Sequence, residues 1–237
     1  MSFNREILFD SVRSSLFGGG MGQSQVDGMN AVLNAWDDSP PSDDLRWLAY
    51  CLATDYHETS KEMQPIEEYG RGAGMSYGNP DPQTGEIYYG RGYVQLTWKD
   101  NYQKATNKIG LEGGDDLVWH PEKALDPYIA SEIMFRGMTE GWFRSGETLS
   151  RYFSDTADDP YGAREIINGD KHIVPSWSNG VSIGNLIKGY HRDFLLALEE
   201  SYTEGEIIPA PEETLVRVHV RIDAPPGVKV EVIVVNG

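Results

Sequence analysis

The chain has 237 residues, enough for one domain of ordinary size with a small appendage. Its 20 Lys and Arg against 37 Asp and Glu leave a net charge of −17, and no basic run concentrates positive potential, so nucleic acid and anionic membrane surfaces are disfavoured as partners. Hydrophobic residues at 39% and aromatic residues at 11% are globular values and exclude a disordered chain.

In chain order, residues 3–16 read as a first helix, with Ile7, Leu8, Val12 and Leu16 on one face, ended by Gly18, Gly19 and Gly20. Ser24 with Asp27 has the form of a capping box for a second helix carrying Val26, Met29, Val32, Leu33 and Trp36. Pro40, Pro41 and Ser42 stop it and cap a third, whose buried stripe is Leu45, Leu48, Cys51 and Leu52 and which runs into His57 and Glu58. Residues 69–92 hold seven glycines and four tyrosines and read as a long irregular loop region, where function concentrates. An extended piece from Tyr88 to Leu96 leads out of it. Asp100 then caps a helix ending at Gly110, and Asp126-Pro127 starts the next. Shorter helices are expected near 147–153 and 160–167, and a last long one over 181–200. Residues 203–213 read as an acidic linker, and alternating valines over 214–237 as a β-hairpin. A lone hairpin is marginal in water, so it should pack on the helical body, self-associate with a second copy or dock on a partner.

Cys51 is the only cysteine, which excludes an intrachain disulfide and suits a reducing compartment; it reads as core. The opening residues lack the basic start and apolar run of a signal peptide, and no stretch approaches ~18 apolar residues, so no membrane insertion is expected.

Chemistry concentrates in five carboxylates within 55–68: Asp55, Glu58, Glu62, Glu67 and Glu68. Cleavage of a glycosidic bond needs one carboxyl that carries a proton and one that is ionised. The inner end of a buried helix favours the first and a solvated glycine-rich loop the second; Glu58 and Glu68 fit these environments. Carboxylate clusters are also commonly solvated faces. A zinc-protease motif fails because Lys61 stands where the second histidine must be, and Gly70–Gly74 lacks the Lys-Ser/Thr of a phosphate loop. No metal or cofactor is expected.

His57-Glu58-Thr59, followed by Tyr88-Tyr89-Gly90-Arg91-Gly92-Tyr93-Val94-Gln95-Leu96-Thr97, Asn101-Tyr102 and Ile167-Asn168-Gly169, resembles glycoside hydrolase family 19 over roughly residues 40–200. That family holds plant-type chitinases and related phage endolysins, and the wording around Met63-Gln64-Pro65 and Glu68-Tyr69-Gly70 resembles the phage and prophage branch. The resemblance implies a mainly α, lysozyme-like, two-lobed catalytic domain over 1–202 and an inverting hydrolysis of β-1,4 links in an N-acetylglucosamine-containing polymer. It implies Glu58 as general acid, Glu68 as general base and Thr97 as holder of the attacking water. The substrate-binding set it implies is His57, Tyr88, Arg91, Gln95, Asn101 and Asn168. An inverting enzyme needs its carboxyls ~6.5–9.5 Å apart.

Alternatives stay open for several of these. His57 either contacts substrate or holds Glu58 within the core; Arg91 either contacts substrate or pairs with a glutamate; Glu67 rivals Glu68 as base. The basic residue that plant-type relatives carry near the last helix has Arg192 as its nearest candidate. Among polymers, bacterial peptidoglycan is expected first, cleaved by an endolysin held in the host cytoplasm until released to the wall. Chitin is the alternative, and a non-catalytic glycan-binding protein the second.

Overall fold

The computed structural model describes residues 3–202, which are mainly helical as expected. The linker and hairpin expected over 203–237 lie outside the described residues. Helix α1 (Arg5–Ser15) is capped by Asn4, whose side chain accepts from the amides of Glu6 and Ile7. Phe3 bridges to Tyr202, so the two ends of the described chain meet. Helix α2 (Gln23–Asp38) starts one residue before the expected Ser24 cap: Gln25 reaches back to accept from the Gly22 amide at 2.8 Å. Helix α3 (Leu45–Glu58) is capped by Asp44, not Ser42; Ser42 instead accepts from the Asp44 amide and holds that cap in place.

Helix α3 departs from the expected one-sided stripe. Every residue from Leu48 to Tyr56 is buried. A helix apolar around its circumference runs through a core and not over its surface; here it packs chiefly on α7 (Ile183–Ser201), while α1 also lies on α7 and α2 on α5 (Pro127–Glu140). Each fully buried leucine, such as Leu48 and Leu52, contributes about 1.5–3 kcal/mol of burial. This rigid helix ends at Glu58. The Cys51 thiol lies fully inside it, and burial pushes its pKa up.

The loop region after α3 carries little regular structure. The expected extended piece over 88–96 reduces to β2 (Arg91–Gly92), paired antiparallel with β1 (Ile66–Glu67), plus a bridge from Arg91 to Leu96. The reason is strain: Gln95 and Trp98 take positive φ values of 54° and 74°, which breaks any longer strand. Trp98 also occupies the cap position of α4 (Lys99–Ile109), so Asp100 sits inside the first turn and does not cap it. Gly110 ends α4 in the left-handed region at φ 81°, as its position predicts. Asp126 caps α5 through the amides of Tyr128 and Ile129. The short helices become α6 (Leu149–Tyr152), next to the strand pair β3 (Phe153–Ser154) and β4 (Ala157–Asp158), and a single tight 3-10 turn, Gly162–Ile166.

Candidate active site

The end of α3, the segment after β1, the turn at 94–101 and Ile167-Asn168 all contribute to one open cavity of about 380 Å³. Glu58 and Glu68 both line it, with Gln95, Thr97, Asn101 and Asn168, and with Tyr77, Trp98 and Phe143 as aromatic walls. Six of the nine residues singled out from the sequence are therefore brought together.

Glu58 is largely buried, with 15% of its side chain exposed. Its Oε1 accepts from Nη1 of Arg164, which leaves Oε2 free of that pairing. Arg164 turns its other edge on Asp170 as a fork, Nε to Oδ1 at 2.6 Å and Nη2 to Oδ2 at 3.0 Å. Burial works to lower the guanidinium pKa, but Glu58 and Asp170 outweigh it, so Arg164 is held charged beyond its ordinary range. The cation that serves the helix end thus comes from the Gly162–Ile166 turn. Arg192, the candidate near the last helix, is spent on its neighbour Asp193.

Glu68 is held differently. Tyr77 Oη donates to Oε1 at 2.9 Å and the Gly90 amide to Oε2 at 3.0 Å. Burial and the bond to Glu68 push the Tyr77 phenol pKa up, so it remains a donor. Gly90 is required by closeness: a Cβ there would stand 2.9 Å from Gln95 Oε1 and 3.4 Å from Glu68 Cβ. Glu67 points elsewhere, bonded by Tyr89 Oη and paired with Arg71 at 2.6 Å. Of the two adjacent glutamates, only Glu68 lines the cavity.

The polar residues of the walls are tied down by their donors. Gln95 Nε2 donates to the carbonyls of Ile66 and Gly92, Asn101 Nδ2 to that of Thr97, and Asn168 Nδ2 to Asp170. What remains is a set of amide oxygens suited to accept from a ligand's N–H and O–H groups. Thr97 donates to Gln95 O at 2.8 Å, leaving its oxygen to accept, and the strained φ values of Gln95 and Trp98 flank it. Backbone strain of this kind persists where surrounding structure enforces a functional geometry.

Three residues expected to touch substrate do not line this cavity. Tyr88 is buried, bonded to Val118 O and Thr84 and packed on Tyr102, because its ring completes the core under the loop. Arg91 is buried too; it lies 3.6 Å over the Tyr89 ring and donates to Ile87 O and Tyr102 Oη, and among the described residues it pairs with no glutamate. His57 is on the other side of the helix end, beside Tyr190, and makes no side-chain hydrogen bond to a described residue. Burial pushes its pKa down, so it is neutral. Tyr77, Gly90 as a donor, Arg164 and Asp170 were missed. Tyr77 had a signal, as an aromatic inside a glycine-rich loop; Arg164 had only its nearness to Asn168. Among the described residues, no group of His, Cys, Asp and Glu is arranged to hold a metal ion.

No model of a known protein family matches the chain. It is 30% identical over 152 residues to acidic endochitinase SP2 of Beta vulgaris, a stretch covering 56% of this chain and 49% of that protein. It is 37% identical over 100 residues to chitinase 4 of Oryza sativa subsp. japonica, covering 40% and 33%. The chain thus spans half or less of the curated relatives it matches. Among solved structures, chitinase C from Streptomyces griseus superposes with a TM-score of 0.48 at 22% identity, over 82% of this chain and 91% of that one. A family 19, class IV chitinase from Zea mays superposes with a TM-score of 0.45 at 16% identity, over 82% and 94%.

Proposed function

We propose that this chain is a glycoside hydrolase that cleaves β-1,4 bonds of an N-acetylglucosamine-containing polymer by inversion. The observation that carries the reading is that Glu58 and Glu68, set on different elements and held by different partners, line one cavity with four amide or hydroxyl acceptors. Sequence similarity to curated chitinases supports the same bond type.

Glu58 acts as the acid. Its Oε1 is fixed by Arg164, which leaves Oε2 as the oxygen placed to pass a proton to the leaving oxygen. Glu68 acts as the base, with both oxygens oriented by Tyr77 and Gly90 toward the cavity. The cavity of about 380 Å³ has room for a sugar ring and an attacking water, which occupies about 30 Å³ in the liquid. Thr97 and Gln95 position that water, and Asn101 and Asn168 accept from acetamido and hydroxyl groups. Attack from the face opposite the leaving group gives the α-anomer first.

The polymer we propose is bacterial peptidoglycan, cut by an endolysin-type enzyme that accumulates in the host cytoplasm and reaches the wall after release. The names of the curated relatives favour chitin as the second reading. Turbidity of outer-membrane-permeabilised Gram-negative cells, run beside soluble chitin, separates the two. Clearing of the cells, with loss of at least about 100-fold for Glu58→Gln and Glu68→Gln, is expected. Clearance of chitin alone reverses the order, and full activity of Glu58→Gln removes it as the acid.

A further inference from the structure

On the far side of the α3 terminus from Glu58 lies a second cavity of about 290 Å³, lined by Tyr56, His57, Ser60, Lys61, Trp177 and Tyr190. His57 of this cavity and Glu58 of the first are consecutive residues. Trp177 is 64% exposed and presents its ring to this cavity. Tyr190 packs edge-on to Tyr56 at 4.7 Å, and the Lys61 ammonium lies 5.4 Å from the Tyr56 ring centre. In a chain of net charge −17, Lys61 pairs with no carboxylate among the described residues. Asp193, the nearby acid on α7, is engaged by Arg192, and His57 is neutral.

The turn that presents Lys61 is strained and pinned. Ser60, Lys61 and Met63, none of them glycine, take φ values of 54°, 73° and 53°. Gln25 donates to Lys61 O at 2.9 Å, the Lys61 amide to Tyr56 O at 2.8 Å, and the Met63 amide to Thr59 Oγ1 at 3.1 Å. Gly28 of α2 lets the Met63 carbonyl approach so closely that a Cβ there would be 1.6 Å from it. Such strain persists only where neighbours over-determine it, which here fixes a cation at the mouth of an aromatic pocket.

We propose that this pocket is a second subsite beside the cleft and takes a carboxylate-bearing sugar, Lys61 pairing with the carboxylate while Trp177 and Tyr190 cover the apolar face of the ring. The inference rests on the reading of the first cavity as a glycan cleft, and it specifies an acidic glycan over an uncharged one.

The test measures binding to the full chain carrying Glu58→Gln, so that ligand is not consumed. Three probes are compared: a peptide-free tetrasaccharide of alternating N-acetylglucosamine and N-acetylmuramic acid, the same compound methyl-esterified at its carboxylates, and chitotetraose. The free acid should bind about five-fold tighter than the ester, with the preference fading at high salt. Lys61→Met should bring the acid-to-ester ratio to about one, and Lys61→Arg should keep it, the melting temperature of each variant verifying its fold. Trp177→Ala should weaken acid and ester alike by about ten-fold. An acid-to-ester ratio that survives Lys61→Met, or is absent from the start, overturns the subsite while leaving the cleft intact. Failure of all three probes to bind overturns the glycan reading itself, and the subsite with it.

Discussion

Replacing Arg164 by Met tests the electrostatic frame of the cleft. The Arg164 side chain is 4% exposed and its guanidinium stands between two carboxylates, Glu58 and Asp170, each 15% exposed. Methionine fills most of the stem's volume, so the packing loss is small and the change isolates the charge. What is left is two desolvated carboxylates facing each other with no cation. Breaking a buried ion pair from one side costs about 3–5 kcal/mol, because the remaining charge loses its partner but not its burial. At about 2–4 °C per kcal/mol for a domain of this size, the melting temperature should fall by about 6–20 °C. Scanning calorimetry at neutral pH measures it. Adding Asp170→Asn to Arg164→Met removes one stranded charge and should recover part of the loss, a non-additivity expected only of residues in one network. A loss under about 1 kcal/mol, the size seen for exposed pairs, would refute the reasoning.

Gly90→Ala should press on Gln95 Oε1 and Glu68 Cβ, costing about 1–3 kcal/mol by overpacking and lowering glycan hydrolysis about ten-fold, read by thermal melts and initial rates. His191 is buried against Phe153 and Tyr50 with Nε2 unpartnered, and burial pushes its pKa down to about 4 against opposing Asp158 and Asp44. Its contribution is fully present above the unfolded pKa near 6.5 and is lost as pH falls toward 4; His191→Phe should therefore cut the acid-side loss between pH 7 and 4 by about 3 kcal/mol in urea titrations. Asp55 has the opposite sign: both carboxyl oxygens are buried without partners and burial raises its pKa well above the ordinary value, so its contribution is present below pH ~4 and declines as pH rises. Asp55→Asn should flatten that decline, by up to about 1.4 kcal/mol per pH unit at its steepest, and an unchanged slope relative to the parent would overturn the assignment.

The helices were legible because their signals are local. Asp126 with Pro127, Gly110 and the apolar spacing of α7 name their own boundaries. The starts of α2, α3 and α4 were misread by one or two residues: at α3 several cap-forming side chains, Ser42, Asp43 and Asp44, compete, and at α2 and α4 the cap positions fall on Gly22 and Trp98, which make no side-chain cap bond. The site was legible where the residue's role is to face the cavity: Glu58, Glu68, Gln95, Thr97, Asn101 and Asn168. It was illegible where motif residues serve the scaffold. Tyr88 and Arg91 sit in the same string as Gln95 and Thr97, yet they brace the loop from inside, and alternation of direction along an irregular turn has no period to read. Arg164 was missed for a different reason. Its pairing with Glu58 spans 106 residues, and long-range pairs of single residues leave no pattern in either segment.

The full burial of Cys51 has a practical consequence. The chain's only sulfhydryl is sealed within α3 with its pKa raised, so it stays unreactive toward alkylating reagents while the protein is folded. A cysteine introduced on the exposed rim beside Trp177 would then be the single labelling position on the molecule. One fluorophore or spin label there could follow occupancy of the neighbouring pocket without any background substitution, and uptake of a second label would report unfolding directly.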